Sequence, residues 1–193
     1  MDHIPSTMLC MSTEYNQKTE DCKQASVFLQ IPIITSRFNN NTWAENIEYR
    51  SKGNEGKDNG CIYGAPLKMT DKISGNALVF VVEMNNETNK IEGVGLIRNI
   101  IQFDKYYKVY QTGNYNRYVY KSEYRIGREE LKQYNPELIT ILDYILFKEK
   151  THLKRGSGFT MIPDKLLKHK KCAGLHLNQE LKTIFQRHYP NIP

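Results

Sequence analysis

The sequence predicts an α+β protein: a small curved, mostly antiparallel β-barrel with flanking helices. Three observations predict it. Two β-branched runs, ALVFVVEM (77–84) and KIEGVGLIR (90–98), flank an Asn-rich turn, the signature of an antiparallel hairpin. Gly93 and Gly95 interrupt the second run, and glycines inside a strand mark a bulge, a barrel bend or the close approach of another backbone or a ligand. The helical periodicity comes late, after the strands, with no internal repeat.

The elements follow in order. Residues 1–24 are polar with isolated apolar residues and predict a loosely attached arm, leaving 25–193 as one domain with a C-terminal helical extension. Val27–Thr35 (VFLQIPIIT) is the first expected strand, with Pro32 placing it at an edge or a bulge. A short helix is expected from near Thr42, then a loop over KGNEGKDN (52–59). Tyr106–Tyr110 and Arg117–Ile126 predict a second hairpin, with turn chemistry at Gly113 and Asn114. Alternation in its second strand puts Arg117, Val119, Lys121, Glu123 and Arg125 on one face. Tyr118, Tyr120, Ser122, Tyr124 and Ile126 take the other, facing core or ligand. Asn135-Pro136-Glu137 opens a helix, with a capping amide, a proline suited to the first turn and an acid at the positive end of the dipole. Its stripe is Leu138, Ile141, Leu142, Ile145 and Leu146. A last helix is expected from a cap at Asn178, burying Leu181, Ile184 and Phe185 and ending before Pro190.

Composition bounds the function. At 193 residues, 39% hydrophobic and 25% charged, with mean hydropathy −0.61, the chain reads as one globular domain. No apolar stretch approaches the roughly 20 residues that span a bilayer, and 1–22 lacks the pattern of a secretory signal. A cytoplasmic or nuclear, non-secreted protein with no membrane role is expected. The four cysteines are scattered with no CxxC pair, so reduced thiols are expected. The net charge of +6 is uneven: residues 1–104 carry 10 Lys/Arg against 13 Asp/Glu, a balance of −3, while 105–193 carry 17 against 8, a balance of +9. Nine of the thirteen tyrosines fall between Tyr106 and Tyr144. Cations that neutralise phosphates, interleaved with rings that stack on bases, suit a nucleic-acid surface.

The chain has no Walker loop, no GxGxxG in a βαβ unit, no HExxH and no GxSxG, so no cofactor is implied. His169, Cys172 and His176 have the spacing of zinc ligands, but Lys168, Lys170 and Lys171 repel a cation and no metal is expected. Lys154 and Arg155 precede Gly156-Ser157-Gly158, so two cations and exposed backbone N–H groups converge on one loop, the chemistry of a phosphate site or of a simple turn. Trp43 is the only tryptophan, with Asn46, Tyr49 and Arg50 at helical spacings. It reads either as core or as a ring that stacks a base beside an amide that reads its edge.

VFVVEMNNETNKIEGVGLIRN (79–99), with Trp43 before it, resembles the PUA-like superfamily, which includes the EVE, ASCH and YTH modules. GCIYGAP (60–66), RYVYKSEYRI (117–126) and HLKRGSGFTMIP (152–163) also look like uncharacterised proteins of large DNA viruses. The likeness runs from about Ser26 to Leu167. It implies a PUA-like barrel with an aromatic pocket for a flipped, single-stranded or modified RNA or DNA base. Trp43, Tyr63 and Tyr49 would then supply rings, Asn46 or Asn85 would read the edge, and Arg98, Arg117, Lys121, Arg125, Lys154 and Arg155 would hold phosphates. The expected function is a non-enzymatic nucleic-acid-binding module. Alternatives are a ribonuclease of the same fold, with Glu83 and Lys121 or Lys154 as acid–base pair, and a viral structural or interaction protein.

Overall fold

The chain divides into two units, Met1–Gln30 and Ile31–Pro193. The computed structural model describes residues 30–52, 60–150 and 152–192, so the expected arm over 1–24 and the start of the expected first strand lie outside the described residues.

Asn39 starts the first helix. Its side chain accepts from the Thr42 amide at 2.8 Å, and Thr42 Oγ1 accepts from the Asn39 amide at 3.0 Å, a reciprocal cap that satisfies two otherwise orphaned donors. That helix, α1 (Asn40–Ser51), follows strand β1 (Ile33–Phe38) directly. Strands β2 (Cys61–Ala65), β3 (Leu78–Asn85) and β4 (Lys90–Arg98) come next, then β5 (Tyr118–Ser122) and β6 (Arg125–Gly127). Helices α2 (Arg128–Tyr134) and α3 (Pro136–Phe147), strand β7 (Thr160–Met161), the single turn α4 (Asp164–Leu167) and α5 (Leu177–His188) complete the order.

The strands form a mixed five-stranded sheet, β6-β4-β3-β1-β7, with β1 and β3 parallel, and a separate antiparallel pair, β2-β5. Neither sheet closes on itself, which corrects the expected barrel. The α+β order stands, and of the readings of Gly93 and Gly95 the bulge is present while the barrel bend is not. A Cβ at Gly95 would meet Tyr63 Oη at 2.3 Å and Cys61 Sγ at 2.7 Å. One at Gly93 would meet Glu83 Oε2 at 2.8 Å and Arg125 Nη2 at 2.9 Å. The glycines make room for buried side chains; the register also shifts between Glu83 and Met84, opposite this stretch.

Both faces of the large sheet are covered. Phe80, Val82, Met84 and Leu96 pack under α2, α3 and α5, while Val79, Val81 and Ile97 pack with Cys61, Tyr63, Val119 and Tyr120 of the small sheet. Burial on both faces explains why β3 reads as a near-continuous apolar run. The helix from Asn135 forms as expected, with Asn135 Oδ1 accepting from Leu138 N at 3.1 Å and all five stripe residues buried. The last helix starts two residues earlier than expected, with His176 and not Asn178 before its first turn; the Asn178 side-chain amide donates to the Ile31 carbonyl, so it ties the helix to the chain entering β1.

The expected second hairpin is not there. Residues 106–110 form no strand, Gly113–Asn116 is a 3₁₀ turn, and β5 pairs with β2. The run 117–126 breaks at Glu123-Tyr124, so its alternation does not carry through to β6, which pairs with β4. No helix of the described residues is long and apolar enough to cross a membrane.

Burial sets a pH limit on this fold. Cys61 is 1% exposed, and its thiol is pushed up to about 12, first by desolvation and then by the charge of Glu83. Its folded pKa thus lies above the ordinary value of 9.0. The unfolded chain loses this proton first, so stability is full below pH 9 and falls as pH rises toward 12, by up to about 1.4 kcal/mol per unit from this group. Denaturant unfolding at pH 8, 9 and 10 is expected to show the decline, and Cys61→Ala to flatten it.

Candidate functional site

The parallel pairing of β1 with β3 brings two strand C-termini side by side, and a crevice forms beyond the carboxyl ends of such strands. Arg37 stands at the end of β1 and Asn86 just past the end of β3, joined through the Asn86 amide and the Phe38 carbonyl at 2.8 Å. Arg37 reaches across to the glycine loop: Nη1 donates to the Leu153 carbonyl at 3.2 Å and Nη2 to the Gly158 carbonyl at 3.0 Å. Asn86 Nδ2 donates to the Lys154 carbonyl at 2.8 Å. These three bonds clamp 153–158 over the strand ends. Gly156 and Gly158 both have positive φ, +95° and +70°, a backbone that side-chain-bearing residues rarely adopt.

Between loop and sheet lies a cavity of about 280 Å³, lined by the start of α1, the Tyr110 and Tyr115 rings, Gly156 and Gly158. Gly64 sits at its wall because a Cβ there would strike the Tyr115 carbonyl oxygen at 2.1 Å. Two polar atoms of its lining residues are buried without a partner, Arg37 Nε and Asn86 Oδ1. The Asn86 orientation is fixed, since only Nδ2 can donate to the Lys154 carbonyl. An orphaned buried donor or acceptor costs about 1–3 kcal/mol, so two residues that line this cavity each carry a polar atom whose hydrogen bond is unmet. Burial lowers the Arg37 guanidinium pKa from its ordinary value. Among the described residues the lining includes no carboxylate, imidazole or thiol. The cavity can bind a planar polar group, but it lacks an acid–base pair.

The residues expected from sequence fall in three places. Lys154 and Arg155 lie on the clamped loop; Lys154 Nζ donates to Asn89 Oδ1 at 2.6 Å and Arg155 is exposed. Trp43, Asn46, Tyr63, Asn85 and Arg125 are instead taken up in internal contacts. Tyr63 is 0% exposed and donates to Glu83 Oε1 at 2.8 Å, so neither ring face is open to a base. Asn46 donates to the Ile62 carbonyl at 2.7 Å and the Tyr110 hydroxyl at 3.1 Å, and accepts from Arg50 Nε at 3.0 Å. Asn85 holds the β3-β4 turn, bonding Asn40, Glu92 and the amides of Glu87 and Thr88. Trp43 packs edge-on against Phe38 at 5.1 Å, with the guanidinium carbons of Arg50 and Arg125 at 5.5 and 5.6 Å from its centroid. Arg125 forms an ion pair with Glu83 at 2.8 Å.

The third place is the surface around Lys121. Tyr49 and Lys121 line one cavity, and Lys121 and Arg98 line its neighbour. Arg117 is exposed, its guanidinium 5.5 Å from the Tyr118 ring. The acid–base pairs named for a ribonuclease are not assembled: Glu83 is buried on Arg125 and Tyr63, Lys121 donates to Tyr107 and Lys154 to Asn89. His169 Nε2 stands 3.0 Å from Glu149 and Cys172 is buried, and no group of three or more His, Cys, Asp or Glu among the described residues could hold a metal.

Sequence reasoning missed Arg37 and Asn86. In sequence each is an ordinary polar residue at a strand end, and the carbonyls that hold Arg37 lie 116 and 121 residues away. The one available signal was the Gly-Ser-Gly loop itself, which requires some group to hold it.

Compared with family models, curated proteins and solved structures, the chain matches none, and nothing in those comparisons identifies it with the PUA-like superfamily or with viral relatives.

Proposed function

We propose that the protein is a binding module for single-stranded nucleic acid, with one base lodged in the cavity beyond β1 and β3. The observation that carries this is that two residues lining one cavity each hold a buried polar atom without a protein partner, Arg37 Nε as donor and Asn86 Oδ1 as acceptor. Every nucleobase presents an acceptor next to a donor on its pairing edge, and that edge is free only in an unpaired strand. The Tyr110 and Tyr115 rings supply apolar walls, and Lys154 and Arg155 put positive charge on the clamped loop for the adjoining phosphates. The +9 balance of residues 105–193 agrees with a polyanionic partner.

The test is fluorescence anisotropy of labelled single- and double-stranded RNA and DNA at two salt concentrations. Single strands are expected to bind better, with affinity falling as salt rises. Arg37→Lys keeps the charge but removes the Nε donor, together with the Nη bonds to the Leu153 and Gly158 carbonyls that hold the loop. A hydrogen bond to a charged group is worth about 1.5–3 kcal/mol, so affinity should fall about 10- to 150-fold with an unchanged salt slope. Equal affinity of this variant and the parent protein, or no single-strand binding at low salt, would sink the reading.

A further inference from the structure

The loop between β4 and the 3₁₀ turn is unusual in what it displays. Phe103 is 79% exposed and Tyr106 70% exposed, while Tyr107 and Val109 are buried at 4% and 5%. Exposed aromatic side chains are common on mobile tails, but this loop is pinned. Gln102 N donates to the Val119 carbonyl at 2.8 Å. The Tyr107 hydroxyl donates to Asp104 at 2.8 Å and accepts from Lys121 Nζ at 2.7 Å. The ammonium groups of Lys105 and Lys121 stand 5.2 and 5.0 Å from the Tyr107 ring centroid. Two cations are thus held beside one ring, with two further rings presented to solvent at low ordering cost.

A groove runs beneath this loop. A cavity of about 400 Å³, lined by Tyr49, Lys105, Tyr107 and Lys121, shares Lys121 and Ser122 with a second cavity of about 220 Å³ that reaches Arg98 and Ile100. The two cavities thus adjoin at Lys121 and Ser122. Lys105, Lys121 and Arg98 are exposed along it, against two carboxylates, Glu123 in the lining and Asp104 on the Tyr107 hydroxyl. A protein partner would be served by the rings alone. Exposed cations along two adjoining cavities, with exposed rings on the loop that carries Lys105, match a sugar–phosphate chain with bases stacked beside it.

We propose that this groove is a second nucleic-acid site, separate from the cavity at Arg37, in which successive nucleotides of a single strand run past Lys105, Lys121 and Arg98 while their bases stack on Phe103 and Tyr106. The proposal rests on the single-strand reading above and extends it from one base to a track.

The test uses the full chain with a 12-nucleotide labelled oligouridylate and with uridine monophosphate. Phe103→Ala/Tyr106→Ala alters exposed positions only. Stacking is worth about 1–3 kcal/mol per base, so affinity for the 12-mer should fall about 5-fold or more, with the salt slope unchanged. Lys105→Gln/Lys121→Gln should lower the slope of log K against log salt by about 1.4, the value for two phosphates of a single strand. Neither pair should change binding of the monophosphate, which Arg37→Lys weakens. If both groove variants bind the 12-mer as the parent protein does while Arg37→Lys still binds it weakly, the groove proposal is overturned and the cavity reading stands. If the parent protein binds neither oligomer nor monophosphate at low salt, both fall. Should the slope change without loss on Phe103→Ala/Tyr106→Ala, the stacking half is overturned.

Discussion

Arg125→Ala is expected to lower folding stability by about 3–5 kcal/mol, because it strips the partner from a fully buried carboxylate. Glu83 is 0% exposed and the Arg125 side chain 8%. The guanidinium meets the carboxylate in two places, Nε at 3.0 Å from Oε1 and Nη2 at 2.8 Å from Oε2, and Nη2 also donates to the Glu92 carbonyl at 3.3 Å. Tyr63 adds a third donor to Oε1. Without Arg125 the charge keeps only a phenol, in a space where apolar neighbours leave little room for water. Replacing both members, as in Glu83→Gln with Arg125→Met, removes the uncompensated charge, so the double variant should lose less than Arg125→Ala alone. Denaturant unfolding of the three proteins measures this. A loss under about 1 kcal/mol for Arg125→Ala would mean that the site is wetter than its geometry indicates.

This network shows where the sequence was legible and where it was not. The β3-β4 hairpin and helix α3 could be read because their signals are local: a turn of four residues between two strands, and a cap with an apolar stripe behind it. Pairing of β2 with β5 could not, since the partners lie more than 50 residues apart and each is equally consistent with other neighbours. The site residues failed for a chemical reason. A tryptophan, an amide, a tyrosine and an arginine that recognise a base use the same hydrogen bonds and ring contacts as a buried polar network, and only burial separates the two. Asn46, Tyr63 and Arg125 belong to the second kind, and the half-buried Trp43 ring packs against Phe38 and beside Arg125. Arg98 and Lys121 are exposed, as most charged side chains are.

The same network makes Gly95→Ala the other large expected loss, and its size can be separated into parts. The added Cβ would stand 2.3 Å from Tyr63 Oη and 2.7 Å from Cys61 Sγ, both fully packed between the two sheets. Something has to shift. Overpacking of this kind costs about 1–3 kcal/mol. The group that gives way is the phenol, and moving it away from Glu83 forfeits a bond to a charged acceptor worth about 1.5–3 kcal/mol. The expected total is therefore about 3–5 kcal/mol, far above the few tenths typical of glycine-to-alanine changes in an open strand. The two parts can be told apart with Tyr63→Phe, which deletes the oxygen that the new methyl meets first. If the collision with Oη dominates, Gly95→Ala is less costly in the Tyr63→Phe background, and the double-mutant cycle returns a favourable coupling of about 1 kcal/mol or more. Strict additivity would instead place the strain on Cys61 and the β4 backbone, and Gly95 would then be needed for the sheet itself and not for the tyrosine that crosses it.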